Sequence, residues 1–256
     1  MGFSEWRATA RIDRTPCGLR YAAGRADGPA RGELLLARSA AQSRRLRAAG
    51  GLLERLGAGG YGRHLPEVVA RSEGAGSVRC ALLAASPPAP RLSTAGRLGS
   101  GAVVTVFVPI AELLGAVHLA GAVHGSIGAA AIRLHRERGP LLGEWWSGRP
   151  VRGAAGRRAV LGEWRAFAGL LDGVARACRP DEGAEPYPSS LVAAECARLG
   201  RGRSLPGLHG RAGAAEDPAE LAARFVDALF EWSPATPLPS PGERPEGAAA
   251  PTPAGI

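Results

Sequence analysis

The sequence predicts an α+β chain of two lobes, a small β-rich N-terminal lobe with one helix and a larger α-helical C-terminal lobe. Three observations carry that expectation. The first 85 residues are rich in short apolar runs punctuated by Gly and Pro, as strands are. The run Ser86-Pro87-Pro88-Ala89-Pro90 then breaks the pattern sharply. Beyond it, apolar residues recur mainly at helical intervals. The expected organisation is therefore residues 1–85, a hinge at 86–100, a helical part at 101–232 and a Pro/Ala/Gly tail at 233–256 with too little to bury to be ordered.

Taken in order, Gly18-Leu19-Arg20-Tyr21-Ala22-Ala23 and Glu33-Leu34-Leu35-Leu36-Ala37-Arg38 flank a turn signal at Asp27-Gly28-Pro29 and read as an antiparallel hairpin. Ala40 to Leu56 switches to helical spacing, with Leu46, Leu53 and Leu56 on one side and Arg44, Arg45 and Arg55 interspersed. Leu65–Ala70 and Val78–Ala84 are two further strands around the turn-prone Glu73-Gly74-Ala75-Gly76. Ala102 to Val123 is almost continuously apolar and just long enough to span a bilayer. Glu112 and His118 interrupt it, and a central carboxylate costs about 2.5 to 3.5 kcal/mol on insertion scales, so a buried core helix is the expectation. Pro109 suits the first turn of a helix running to about Ala120 and would kink one begun earlier. Ala131–Leu134 and Pro140–Leu142 make a small hairpin around His135-Arg136-Glu137-Arg138-Gly139. Arg158–Arg176, Ser190–Leu199 and Pro218–Trp232 are helices, the last with Asp217 as N-cap.

Among 256 residues there is no lysine and no asparagine, so all 32 basic residues are arginine, against 23 carboxylates and a net charge of +9. The arginines are spread along the chain, which predicts a basic surface without marking a nucleic-acid site. The few aromatics are not interleaved with them as stacking platforms for a single strand would be. Cys17, Cys80, Cys178 and Cys196 lie far apart, with no CxxC pair and no zinc-ligand spacing. They are expected to be reduced, although Cys178 and Cys196 would be free to pair in an exported chain. Met1 to Ala10 lacks the apolar core of a signal peptide, and the cytoplasm is the expected compartment.

The stretch VVTVFVPIAELLGAVHLAGAVHGSIGAAAIRL, Val103 to Leu134, resembles the buried helix and catalytic loop of the protein kinase-like superfamily, in particular bacterial Ser/Thr kinase-like domains. In that family the loop reads His-Arg or His-Gly, then Asp, with Asn five residues on. Here His124 and Gly125 match, Ser126 stands at the Asp and Ala131 at the Asn. Glu144 falls at the Asp of Asp-Phe-Gly, followed by Trp145 and Trp146. With no lysine in the chain, Ala37 or Arg38 stands near the strand lysine, and Glu54 would be the relic of its helix partner. The element order extends the likeness over about Ala8 to Trp232.

The resemblance therefore implies a degenerate domain, a pseudokinase. Phosphoryl transfer depends on positioned charges, and losing one typically costs about two to four kcal/mol of barrier. Several are missing from one site, so a catalytically inactive binding or regulatory protein is expected, with a protein partner and no required cofactor. Two alternatives stay open. One is an atypical ATP-binding phosphotransferase using Glu144 with magnesium, its adenine packed against hinge groups at Leu83, Ala84 and Ala85. The other is an arginine-rich protein contacting nucleic acid or a membrane surface. A Ser126–His124 nucleophile is disfavoured, because no Asp or Glu lies nearby in sequence to orient the pair.

Overall fold

A computed structural model describes residues 3–25, 31–73, 78–182, 184, 186–187, 190–200 and 217–238. Over these the chain is α+β, with a five-stranded antiparallel sheet and five helices. The sheet is built from β1 (Trp6–Thr15), β2 (Gly18–Arg25), β3 (Arg31–Ala37), β4 (Glu67–Glu73) and β5 (Cys80–Ser86), in the order β1-β2-β3-β5-β4. The expected hairpin is present as β2 and β3, with Leu19 opposite Leu36 and Ala22 opposite Glu33. Its turn signal at 27–29 lies outside the described residues, as do residues 74–77 between β4 and β5. Both of those strands start and end two to three residues later than the apolar runs that announced them.

The expectation lacked β1. Its residues alternate, Trp6, Ala8, Ala10 and Ile12 against Arg7, Thr9, Arg11 and Asp13, but the strand is exposed along nearly its whole length and is held to β2 by the backbone ladder and the Asp13–Arg20 pair. Two register shifts along this edge, at Ala8/Ala10 and Arg11/Asp13, distort the ladder that an unpaired strand would otherwise offer to a neighbour.

Between β3 and β4 runs α1 (Ala40–Leu56), matching the predicted span. Ser39 and Gln42 form a capping box, which satisfies donors at the open end of the helix. Its leucines pack on the sheet, and at Gly50 the two surfaces come so close that a Cβ would lie 2.4 Å from Leu82.

The remainder is α2 (Ser100–Leu119), two short strand pairings and three more helices. Helix α2 starts nine residues before Pro109, which sits in its interior and not in its first turn. A proline there costs a hydrogen bond and about 3 kcal/mol. Burial of Val103, Val104, Val106, Phe107 and Ile110, all fully inaccessible, offsets that penalty, which is why the helix continues through it. Among the described residues α2 is the helix long and apolar enough to cross a membrane, but protein surrounds most of it. After it come β6 (Ala122–Val123), β7 (Ile132–His135), β8 (Gly139–Leu142) and β9 (Arg149–Pro150), with β7 pairing β8 and β6 pairing β9.

Helices α3 (Gly153–Ala177), α4 (Leu191–Gly200) and α5 (Pro218–Trp232) complete the core, α3 beginning five residues before its predicted start. Trp164, Phe167 and Phe225 meet there, with Phe107 of α2 edge-on to Phe167. Asp217 caps α5 as expected, accepting from the Ala219 N–H at 2.9 Å. The first part of the expected disordered tail is instead bound to α2. Thr236 N–H donates to Gly101 O at 3.1 Å, Thr105 Oγ1 donates to Thr236 O at 2.6 Å, and Leu238 is buried. Residues 239–256 lie outside the described set. All four cysteines are free thiols, and burial pushes Cys17 up to about 11 and Cys196 up to about 12.

Candidate functional site

The loop after α2 is held from beneath by one carboxylate. Gly121 (φ 70°) turns the chain out of the helix, and two residues of β6 lead to His124. Glu163, from the middle of α3, accepts the backbone N–H of His124 at 2.9 Å and of Gly125 at 2.6 Å, and the Nε2–H of His118 at 2.8 Å. Burial by itself would raise the Glu163 pKa, but the His118 hydrogen bond and the two backbone donors outweigh it and hold the carboxyl below its usual range. Gly125 is required where it stands. Its φ is 82°, and a Cβ would lie 2.6 Å from Ser147 O.

His124 is buried and its tautomer follows from its partners. Nε2 lies 2.6 Å from Gly143 O, a carbonyl that can only accept, so Nε2 carries the proton. Nδ1 is then free to accept the Ser126 N–H at 3.2 Å. Burial lowers its pKa despite the opposing field of Glu163, and Trp145 packs edge-on at 4.7 Å. This imidazole is a strut joining the loop to the strand that follows, with both nitrogens engaged.

A second cluster lies between the sheet and the β7–β8 hairpin. Antiparallel register puts Arg20, opposite Leu35, on the same sheet face as Ala22, Glu33 and Ala84, which lie opposite one another. Arg20 is buried and donates to both oxygens of Asp13, Nε at 2.9 Å and Nη2 at 2.7 Å. Its Nη1 lies 3.6 Å from Glu33 and 3.8 Å from Glu144. Burial works against the Arg20 charge, but Asp13, Glu33 and Glu144 together raise its pKa. Two further arginines close the set, Arg133 at 3.7 Å from Glu33 and Arg91 at 3.8 Å from Glu144. Trp146, buried, donates its indole N–H to Glu33. Glu144 itself has φ 59°, the one positive value at a non-glycine among the described residues. Three carboxylates thus face three guanidiniums. Beside them a cavity of about 640 Å³ is lined by Ile12, Ala22, Glu33, Ala84, Ser86 and Arg133, among others.

A comparison with protein-family models finds no match, and one with curated proteins finds none either.

The residues singled out in the sequence divide into two groups. His124, Gly125, Ser126, Ala131 and Glu144 are brought near one another, Ala131 through its carbonyl, which accepts the Gly143 N–H at 2.8 Å. The others lie apart. Ala37 is buried at the far end of β3, opposite Cys80, and Arg38 is exposed, its backbone N–H bound by Gln42. Glu54 is exposed on α1 and pairs with Arg71 at 2.8 Å, so it has no part in the cavity. Of the hinge residues, Ala84 lines the cavity, whereas Leu83 and Ala85 belong to the opposite face of β5.

Sequence reasoning missed Asp13, Arg20, Glu33 and Glu163. Three of them had a local signal: Arg20 and Glu33 are charges inside strand patterns, and Glu163 stands directly before Trp164 within an apolar helical stripe. A charge on a face that must be buried calls for a partner. Among the described residues no group of three His, Cys, Asp or Glu side chains could hold a metal ion. With Asp13, Glu33 and Glu144 set against Arg20, Arg91 and Arg133, what this arrangement offers is charge neutralisation and shape.

Proposed function

We propose that this chain is a two-lobed, protein-kinase-like domain that transfers no phosphate and acts as a binding or regulatory protein. Three features support the architecture: a five-stranded sheet with one helix between its third and fourth strands, a proline-rich crossing, and a buried helix leading into the His124 loop. The observation that carries the functional reading is the network around Arg20. Where a phosphate-binding cleft needs surplus positive charge and free metal ligands, this one holds guanidiniums and carboxylates that satisfy each other, with Trp146 bonded to Glu33.

The test is incubation of the purified protein with labelled ATP, magnesium or manganese, and a generic protein substrate. No transfer above a heat-treated control is expected. Transfer abolished by Glu144→Ala would overturn the reading in favour of an atypical phosphotransferase. The cavity beside Glu33 gives that second reading one specific foothold, a volume sufficient for a small ligand. Thermal-shift titration with ATP addresses it separately: no shift at millimolar nucleotide is expected, and a shift that Ala84→Trp removes would assign the cavity to a nucleotide.

A further inference from the structure

Positive charge is distributed unevenly along the chain. Between Arg38 and Arg63 stand six arginines and a single carboxylate, Glu54, so about a tenth of the sequence holds a surplus of five charges out of the net +9. The excess comes more from added arginines than from missing carboxylates, and the fold turns it outward. Arg38, Arg44, Arg45, Arg47 and Arg55 are exposed on or beside α1, while Leu46, Leu52, Leu53 and Leu56 are buried against the sheet. Glu54 is taken by Arg71, and Arg47 by Glu73. No described carboxylate forms an ion pair with Arg38, Arg44, Arg45 or Arg55, although burial places no constraint on any of them.

The geometry is that of a row. Arg44, Ala48, Gly51 and Arg55 succeed one another at intervals of four, three and four, along one side of the helix and over about 16 Å at 1.5 Å per residue. An arginine stands at each end, and the two residues between carry nothing larger than a methyl group. A Cβ on Gly51 would meet only the Arg55 guanidinium, at 3.6 Å.

We propose that this face of α1 docks an acidic helical segment of a partner protein. The proposal goes beyond the cleft reading and does not depend on it. An incoming helix can lay its backbone along the small residues and set carboxylates against the terminal arginines, where the planar guanidinium pairs with both oxygens of a carboxylate. Two other anionic surfaces fit less well. A membrane-binding helix inserts large apolar side chains, and the exposed apolar residues of α1 include none larger than alanine. Single-stranded nucleic acid is held by aromatic stacking, and there is no aromatic between Arg38 and Leu56.

The experiment is fluorescence anisotropy with a labelled peptide of Glu-Ala-Ala-Ala repeats, beside a DNA duplex and phosphatidylserine vesicles as competing probes. Arg44→Glu/Arg55→Glu is compared with Arg157→Glu/Arg158→Glu, the same charge change at an exposed pair on α3. Circular dichroism melting confirms that each variant folds. The expected result is peptide binding that weakens with salt and loses roughly tenfold, about 1.4 kcal/mol, in the α1 variant, with little change in the α3 variant. Equal losses in the two variants would reduce the surface to diffuse charge and overturn the proposal, as would no peptide binding by the wild-type chain. Tighter binding of duplex or vesicles, lost in the α1 variant, would overturn the choice of partner.

Discussion

Two buried charge clusters, one beneath the His124 loop and one behind the sheet, use the same chemistry to different ends. Glu163 is 4% exposed at its side chain, and its oxygens are taken up by two backbone N–H groups and one imidazole. It fixes the path of a loop backbone. Arg20 is nearly as deep, at 8%, but its partners Asp13, Glu144 and Glu33 are 44%, 25% and 18% exposed. It fills space and cancels charge at the edge of a cavity. The difference shows what a buried charge does here: where the partners are backbone it shapes the chain, and where they are water-reached side chains it sets a local field.

The largest effect is expected from Glu163→Ala, which leaves two backbone donors and His118 without their acceptor. A loss of about 3–5 kcal/mol in urea unfolding would match a broken buried pair. A loss under about 1 kcal/mol would remove the distinction between the clusters. Arg20→Met is expected to cost less, about 1–3 kcal/mol, because the exposed carboxylates it strands can turn to water. If Arg20→Met proved the more damaging, the sheet cluster would be the structural one.

Acid sharpens the comparison. Burial holds His124 and His64 below the ordinary histidine value of 6.5, so the unfolded chain takes up their protons first as pH falls. Their contribution is complete above about pH 6.5 and declines below it. Glu163 has a lowered carboxyl pKa, so its share is present above about 4.5, the unfolded value, and is lost as pH drops through the folded one. The melting temperature should therefore fall in two successive stages on acidification. A melting temperature level between about pH 7.5 and 5 would rule out the histidine stage. The smallest effect belongs to Glu54→Ala: its pair with Arg71 is exposed on both sides, and a change within about 0.5 kcal/mol is expected by thermal melting.

How much of this was legible in advance depends on distance along the chain. Helix α1 and the Asp217 cap of α5 were readable to the residue, because leucine spacing and a capping side chain act over a few positions. Strand β1 was not, since its alternating residues bury little, and what holds it is β2, through the backbone ladder and Arg20 on Asp13. The start of α2 was misplaced for a related reason. Pro109 acts locally and argues for a break, whereas the burial that overrides it is supplied by neighbours such as α5 and residues 233–238.

The candidate site divides along the same line. The loop from His124 to Ala131 is contiguous, so its residues could be singled out together, and Glu144 follows within one short hairpin. The pairing of Asp13 with Arg20, Glu33 with Trp146, and Glu163 with the His124 backbone joins residues 7, 113 and 39 positions apart. Linear order by itself determined the stretches with strong apolar spacing or a capping side chain, α1 and α5 among them, because those preferences are settled by sterics and neighbours a few bonds away. Only the folded chain decided which charges meet, since ion pairing depends on separation in space, and that is set by strand register and helix packing.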